Sequence, residues 1–198
     1  MVRKIVLLLA EGFEEVEAIT PVDYLRRAGI EVTVAAVGQE GLSVTGSHGV
    51  PVTACVTLAA LAGDGRLDPA EWDGVVVPGG LPGADNLHAC EKTGAFIKAM
   101  AGAGKLVCAI CACPARVLAP LGLLAGKRFT CYPGQEERIA AADIAGAEFR
   151  QDRIVVDGNI ITSRGAGTAG EFSCAIVAEL VSPAEAKKLA QRLLLCCY

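Results

Sequence analysis

Four short, almost unbroken apolar runs, at positions 4–10, 31–36, 74–77 and 105–110, punctuate the chain, and each borders a segment with helical spacing. Runs of that length without polar alternation predict strands buried on both faces. Such strands separated by helices predict a mostly parallel sheet covered on both sides, an α/β, doubly wound architecture. Val16, Ile19, Val22 and Leu25 recur every three residues and predict a first helix over about 13–28, kinked at Pro21 and ended by Gly29. Residues 38–44 and 48–55, around Gly46 and Gly49, alternate and predict a small antiparallel excursion. Residues 153–156 and 159–162 flank Asp157-Gly158, a strong hairpin turn. Thr168 with Glu171, and Ser182 with Pro183 and Glu185, have the spacing of capping boxes that start two later helices. With no linker-like stretch in 198 residues, a single domain over 1–198 is expected.

The segment from Lys105 to Ala119 passes from strand to helix within two or three residues, with Pro114 in the first helical turn. A side chain at such a turn stands over the carboxyl ends of the strands, where open α/β sheets place their ligands, so Cys111 is the candidate nucleophile. Free N–H groups and the helix dipole at that spot predict a stabilised thiolate, its pKa drawn from about 8.5 into a range of about 3.5–7.5. The run Pro78-Gly79-Gly80-Leu81-Pro82-Gly83 leaves the neighbouring strand on the same edge and offers backbone N–H groups to an oxyanion. Glu11, Glu14, Glu15 and Glu17 crowd the first strand-to-helix junction. Most of them read as solvated charges at a helix start. Glu17 is the one placed to turn inward and exchange a proton with the thiol.

Composition narrows the partners. Hydrophobic residues at 53% against charged residues at 20% suit a thoroughly buried sheet and exclude disorder. A net charge of -4 and a pI near 5.3 give no footprint for nucleic acid, leaving a small molecule or a protein as partner. The apolar run after Met1 is short and is followed by glutamates, so it reads as a strand and not a signal sequence. The longest uncharged stretch, 41–63, is too broken for a membrane span. Nine cysteines, an odd number in mostly apolar settings, predict reduced thiols in a cytoplasmic protein. A terminal pair, Cys196-Cys197, is expected at the frayed end of the last helix.

The ordered blocks Glu14-Glu15-Val16-Glu17, Pro21-Val22-Asp23, Arg26-Arg27-Ala28-Gly29-Ile30, Pro78-Gly79-Gly80, Ala109-Ile110-Cys111-Ala112 and residues 162–168 carry a resemblance over essentially the whole chain. The chain resembles the ThiJ/PfpI superfamily, in the branch containing the Parkinson-linked protein deglycase and its bacterial relatives. That resemblance implies a flavodoxin-like fold, a homodimer seamed along the first helix and the 38–55 excursion, and no cofactor. It makes Cys111 the reactive cysteine and Glu17 its hydrogen-bonded acid. Backbone amides of Gly79, Gly80 and Ala112 are implied around the sulfur. Arg27 is implied near the dimer seam, close to the active-site pocket, and Arg164, Gly165 and Ala166 in a loop lining that pocket. The chain departs from its relatives at Tyr132, where a histidine is common, and the tyrosine would supply a hydroxyl there. His48 replaces an anion-binding arginine, Ala166 a proline and Cys113 a small residue.

Ala112, not histidine, follows Cys111, and no histidine occurs after His88, so a Cys–His protease or amidotransferase is disfavoured. Cys108, Cys111 and Cys113 do not converge as zinc ligands, and no metal is expected. The resemblance implies a glyoxalase or deglycase acting on small 2-oxoaldehydes such as methylglyoxal, or on early glycation adducts, through a hemithioacetal at Cys111. The alternative is an oxidative-stress sensor or protective chaperone working through oxidation of Cys111 to a sulfinate.

Overall fold

The structure is a computed structural model describing residues 2–195, so the expectation for Cys196-Cys197 lies outside the described residues. Strand β1 (Lys4–Ala10) divides its side chains between two cores: Ile5, Leu7 and Leu9 enter one, and Val6, Leu8 and Ala10 the other. A strand with both faces covered has no polar side to display, which is why its sequence does not alternate.

After β1 come α1 (Glu15–Arg27), β2 (Glu31–Val37), the short strands β3 (Ser43–Thr45), β4 (Pro51–Thr53) and β5 (Val56–Thr57), and α2 (Leu58–Gly63). The chain continues through β6 (Gly74–Val77), α3 (Gly83–Ala89), α4 (Glu91–Gly102) and β7 (Leu106–Ile110). The last third holds β8 (Arg128–Phe129), β9 (Glu148–Phe149), β10 (Ile154–Asp157), β11 (Ile160–Ser163), α5 (Ala169–Leu180) and α6 (Pro183–Arg192). Seven strands form the main sheet in the order β10-β11-β7-β6-β1-β2-β5, parallel except for the antiparallel β10–β11 hairpin. Residues of α1, α5 and α6 cover one face, and residues of α2, α3, α4 and the turn after β7 cover the other. This is the doubly wound, flavodoxin-like arrangement expected. β3 and β4 form the expected antiparallel excursion. The parallel β8–β9 pair is an addition that two-residue strands do not announce in a sequence.

From β1 the chain runs outward to β2 on one side and returns to β6 on the other, so strand order reverses between β1 and β6. Crevices open beyond the carboxyl ends of strands at such a reversal. The loops after β1, β6, β7 and β11 all leave on that edge.

Two local expectations are corrected. Helix α1 begins at Glu15, with Glu14 as its cap, and its inward face is Glu17, Ala18, Pro21, Val22 and Leu25. Val16 and Ile19 point outward, 48% and 41% exposed, because the inward stripe is set one residue off the apolar spacing. Pro21 lies inside α1 and cannot donate to the Glu17 carbonyl four residues back. At α5 no Thr168–Glu171 capping box forms: Thr168 Oγ1 bonds to Gly165 and Ser163, while Glu171 pairs with Arg153. At α6, Ser182 does accept from the Glu185 N–H, with Pro183 in the first turn.

Candidate active site

Cys111 leaves β7 with φ at +65°, a region where a side-chain-bearing residue is strained by roughly 1–3 kcal/mol. Both of its peptide groups are pinned: its N–H donates to the Ser163 carbonyl at 2.9 Å, and its carbonyl accepts from the Tyr132 N–H at 2.8 Å. The chain then turns into Pro114–Leu118, one wide π-helical turn with Pro114 at its start. Cys111 is half-buried, whereas Cys108 and Cys113 are fully buried. Cys113 points beneath the turn, its thiol donating to the Pro78 carbonyl at 3.0 Å.

Glu17 reaches the same place from α1 and is only 1% exposed. Its carboxylate accepts from the Gly79 N–H at 3.0 Å and hydrogen-bonds with the Cys111 sulfur and the Ala166 amide. Burial is the main reason its carboxyl is pushed up to about 7, with the Glu14 charge adding to the rise and the hydrogen bonds opposing it. The expectation of a freely stabilised thiolate is therefore overturned. Burial first, and then the Glu17 charge and hydrogen bond, push the Cys111 thiol up; amide hydrogen bonds from Gly80 and Ala112 pull it the other way. A single helical turn contributes too little dipole to outweigh a buried acid at contact distance. Cys111 and Glu17 are one coupled pair that loses its first proton near neutrality.

Gly79 is what lets these groups meet. A Cβ there would stand 2.5 Å from Glu17 Oε2 and 2.6 Å from Cys111 Cβ. Gly80, at φ +93°, packs where a side chain would strike the backbone of Gly12, Phe13 and Glu14. Of the expected backbone donors, Gly80 and Ala112 serve the sulfur; Gly79 serves Glu17, because its N–H points at the carboxylate.

Arg164, Gly165, Ala166 and Tyr132 line a cavity of about 330 Å³ together with Pro133, Arg153, Gly167 and Thr168. Ser163, Thr168 and Gly165 lock that loop through hydrogen bonds of 2.6 to 3.1 Å, a signal hidden in an ordinary Ser/Thr-Gly stretch. Tyr132 is half exposed at the cavity mouth. His48 and Arg27 are not brought to this cavity. His48 Nδ1 sits 2.8 Å from Glu15 Oε2, which raises the imidazole pKa, and Arg27 pairs with Asp23 at 2.8 Å at the far end of α1. Although burial works against it, hydrogen bonds from the His48 side chain and backbone hold Glu15 down to about 2.

Among the described residues, one group of three ligand-type side chains converges: Glu14, Glu15 and His48, outside the cysteine site. The Glu15 oxygens are already taken by Ser47, His48 and Val50. His88 is exposed in the last turn of α3. No helix among the described residues is long and apolar enough to cross a membrane.

Comparison with known proteins places the chain among relatives of the same fold. Over 195 residues the chain is 38% identical to protein dj-1beta of Drosophila melanogaster, covering 98% of each, and over 161 residues it is 34% identical to deglycase PH1704 of Pyrococcus horikoshii, covering 81% of this chain and 89% of that one. It is 41% identical to protein DJ-1 homolog A of Arabidopsis thaliana over 94% of this chain but only 44% of that protein, and it spans 40% of the Arabidopsis homolog B. The chain thus spans less than half the length of those two plant relatives. The crystal structure of Drosophila DJ-1beta superposes with a TM-score of 0.88 at 37% identity, covering 99% of this chain and 100% of that one. Oxidized Toxoplasma gondii DJ-1 superposes with 0.87 at 35%, covering 98% and 100%. The model of the DJ-1/PfpI family matches residues 3–179, and the chain belongs to that family.

Proposed function

We propose that the protein is a cysteine-dependent enzyme of the glyoxalase/deglycase type, acting on small 2-oxoaldehydes or their early glycation adducts. The observation that carries this reading is the contact between Cys111, strained outward at its turn, and a buried Glu17 whose carboxyl titrates near 7. A general base is most effective with a pKa near the working pH. Glu17 takes the thiol proton as the sulfur attacks the aldehyde carbon. An S–C bond forms, the carbonyl oxygen takes up a proton, and the product is a hemithioacetal. The Gly80 and Ala112 amides face the sulfur and support negative charge developing beside it. Glu17 then carries the C1 proton to C2, leaving a thioester that water hydrolyses to a 2-hydroxy acid and the free thiol. Oxidation at C1 balances reduction at C2, so the sequence consumes only water. The relative named a deglycase supports this assignment. Lactate formed from methylglyoxal by wild type and not by Cys111→Ser tests it; equal rates would end it.

A second reading, a stress sensor working through Cys111 sulfinate, has its own support. The Gly80 and Ala112 amides are donors aimed at the sulfur, and a Toxoplasma relative has been solved in an oxidized form. We also propose a homodimer built on the outward face of α1 and the β3–β4 excursion, where Val16, Ile19 and Val50 are exposed.

A further inference from the structure

Three cations were expected at the pocket, and two are spoken for: Arg27 by Asp23 and His48 by Glu15. Arg153, on the cavity wall, is bound to both carboxylate oxygens of Glu171 and to the Gly167 carbonyl. Arg164 differs. Its Nη1 is shut off from bulk solvent and has no hydrogen-bond partner among the described residues. A buried guanidinium N–H without an acceptor is costly, and charged groups normally avoid that state.

Arg164 lines the cavity that adjoins the cysteine site. Gly165 and Ala166 form the shared wall. A Cβ on Gly165 would stand 3.7 Å from Glu17 Oε1 and 3.2 Å from the Tyr132 ring, and the Ala166 amide bonds to Glu17. Thr130 Oγ1, a second orphaned buried polar atom, lies two residues before Tyr132, whose N–H holds the Cys111 carbonyl. Gly165 and Ala166 thus stand between the Cys111–Glu17 contact and the cavity that Arg164 lines.

We propose that Arg164 is a specificity-determining residue that receives a carboxylate or similar anionic group of the substrate, so that the site favours carbonyl compounds carrying a negative charge over neutral ones. This rests on Cys111 acting on aldehydes and narrows the substrate class. Planar two-point recognition of a carboxylate is what a guanidinium provides and an ammonium does not.

Alkylation of Cys111 reads this site without any turnover. In iodoacetate and iodoacetamide the thiolate displaces iodide and forms the same S–C bond; the reagents differ in carrying a carboxylate or an amide. The iodoacetate-to-iodoacetamide rate ratio at Cys111, followed by peptide mass analysis, should exceed that of free cysteine. It should fall about tenfold or more in Arg164→Met, as loss of one charge-assisted hydrogen bond of about 1.5–3 kcal/mol requires. Arg164→Lys should fall between the two. If Arg164→Met does not fold, acetate competing on the wild-type protein should slow iodoacetate and spare iodoacetamide. A ratio equal to that of free cysteine, or one unmoved in Arg164→Met, overturns the proposal. Lactate formation is measured separately. Its failure with the anion preference intact removes the aldehyde reading and leaves the anion site standing.

Discussion

Cys111 and Glu17 titrate as one unit because two buried acids in contact cannot both be charged. The carboxyl, pushed up to about 7, ionises before the thiol and then serves as its base, so the alkylation rate of Cys111 in wild type should rise through a midpoint near pH 7. Glu17→Gln removes the lower-titrating partner, and that midpoint should disappear. Turnover of methylglyoxal should drop by about 10²–10⁴-fold in the same variant, since an amide cannot carry the proton. If the carboxyl serves only to hold an oxidised sulfur, turnover would survive and the yield of sulfinate would change instead. Stability follows with a definite sign. The Glu17 carboxyl titrates higher when folded than the 4.5 of a free side chain, so the folded state binds the extra proton. Its contribution is complete below about pH 4.5 and is lost as pH rises through about 7. Urea midpoints for wild type should therefore fall, relative to Glu17→Gln, between those values. At Cys111, peroxide should add two oxygens. A bridge to Cys113, seen as loss of two hydrogens, is disfavoured because the Cys113 thiol is bonded beneath the turn to Pro78.

At the scale of elements, the site depends on α1 and the loops after β6 and β7 packing too closely for a side chain at Gly79. The Gly79 Cα faces Glu17 and the Cys111 Cβ with no room between them, so Gly79→Ala must displace one of them. The expected cost is about 1–3 kcal/mol in stability, together with a loss of turnover out of proportion to it, checked by denaturant melts beside lactate assays. Legibility differs among these loops. The strand-to-helix turn and the Gly-Gly run are marked by their residue types, because a residue at positive φ and a close backbone approach demand particular side chains. That the Gly79 amide serves Glu17 was not readable, since amide direction is decided by how the β6 and β1 loops pack. Likewise Glu15 looks like any helix-start acid. Only the folded β3–β4 excursion brings the 46–50 loop onto its carboxylate, over a separation of 33 residues.

The apolar spacing of α1 takes on a different meaning at the scale of the whole molecule. Val16 and Ile19 do not fill this chain's core, and Val50 is exposed on the neighbouring excursion. Burying such surface against a second copy is the economical outcome, each side chain contributing up to about 1.5–3 kcal/mol. Sedimentation at micromolar concentration should give twice the chain mass, and Ile19→Arg should shift it to one. A wild-type monomer at that concentration would remove the dimer.

What the sequence determined alone was the layered α/β architecture, the parallel strands and the place of Cys111 at the turn that leaves β7. All three are written in local patterns: unbroken apolar runs, turn residues and the strand-to-helix junction. Tertiary structure alone decided the electrostatics. The dipole reasoning that predicted a thiolate considered only groups near Cys111 in the chain, whereas burial, and after it Glu17, more than ninety residues away and delivered by the ordering of β1, β6 and β7, reverses the sign of the shift. The same holds for the pairing of Arg27 with Asp23 and of His48 with Glu15, and for the unpartnered Nη1 of Arg164. Coulomb interactions and desolvation depend on distance and burial in space, and neither quantity is carried by the spacing of residues along the chain.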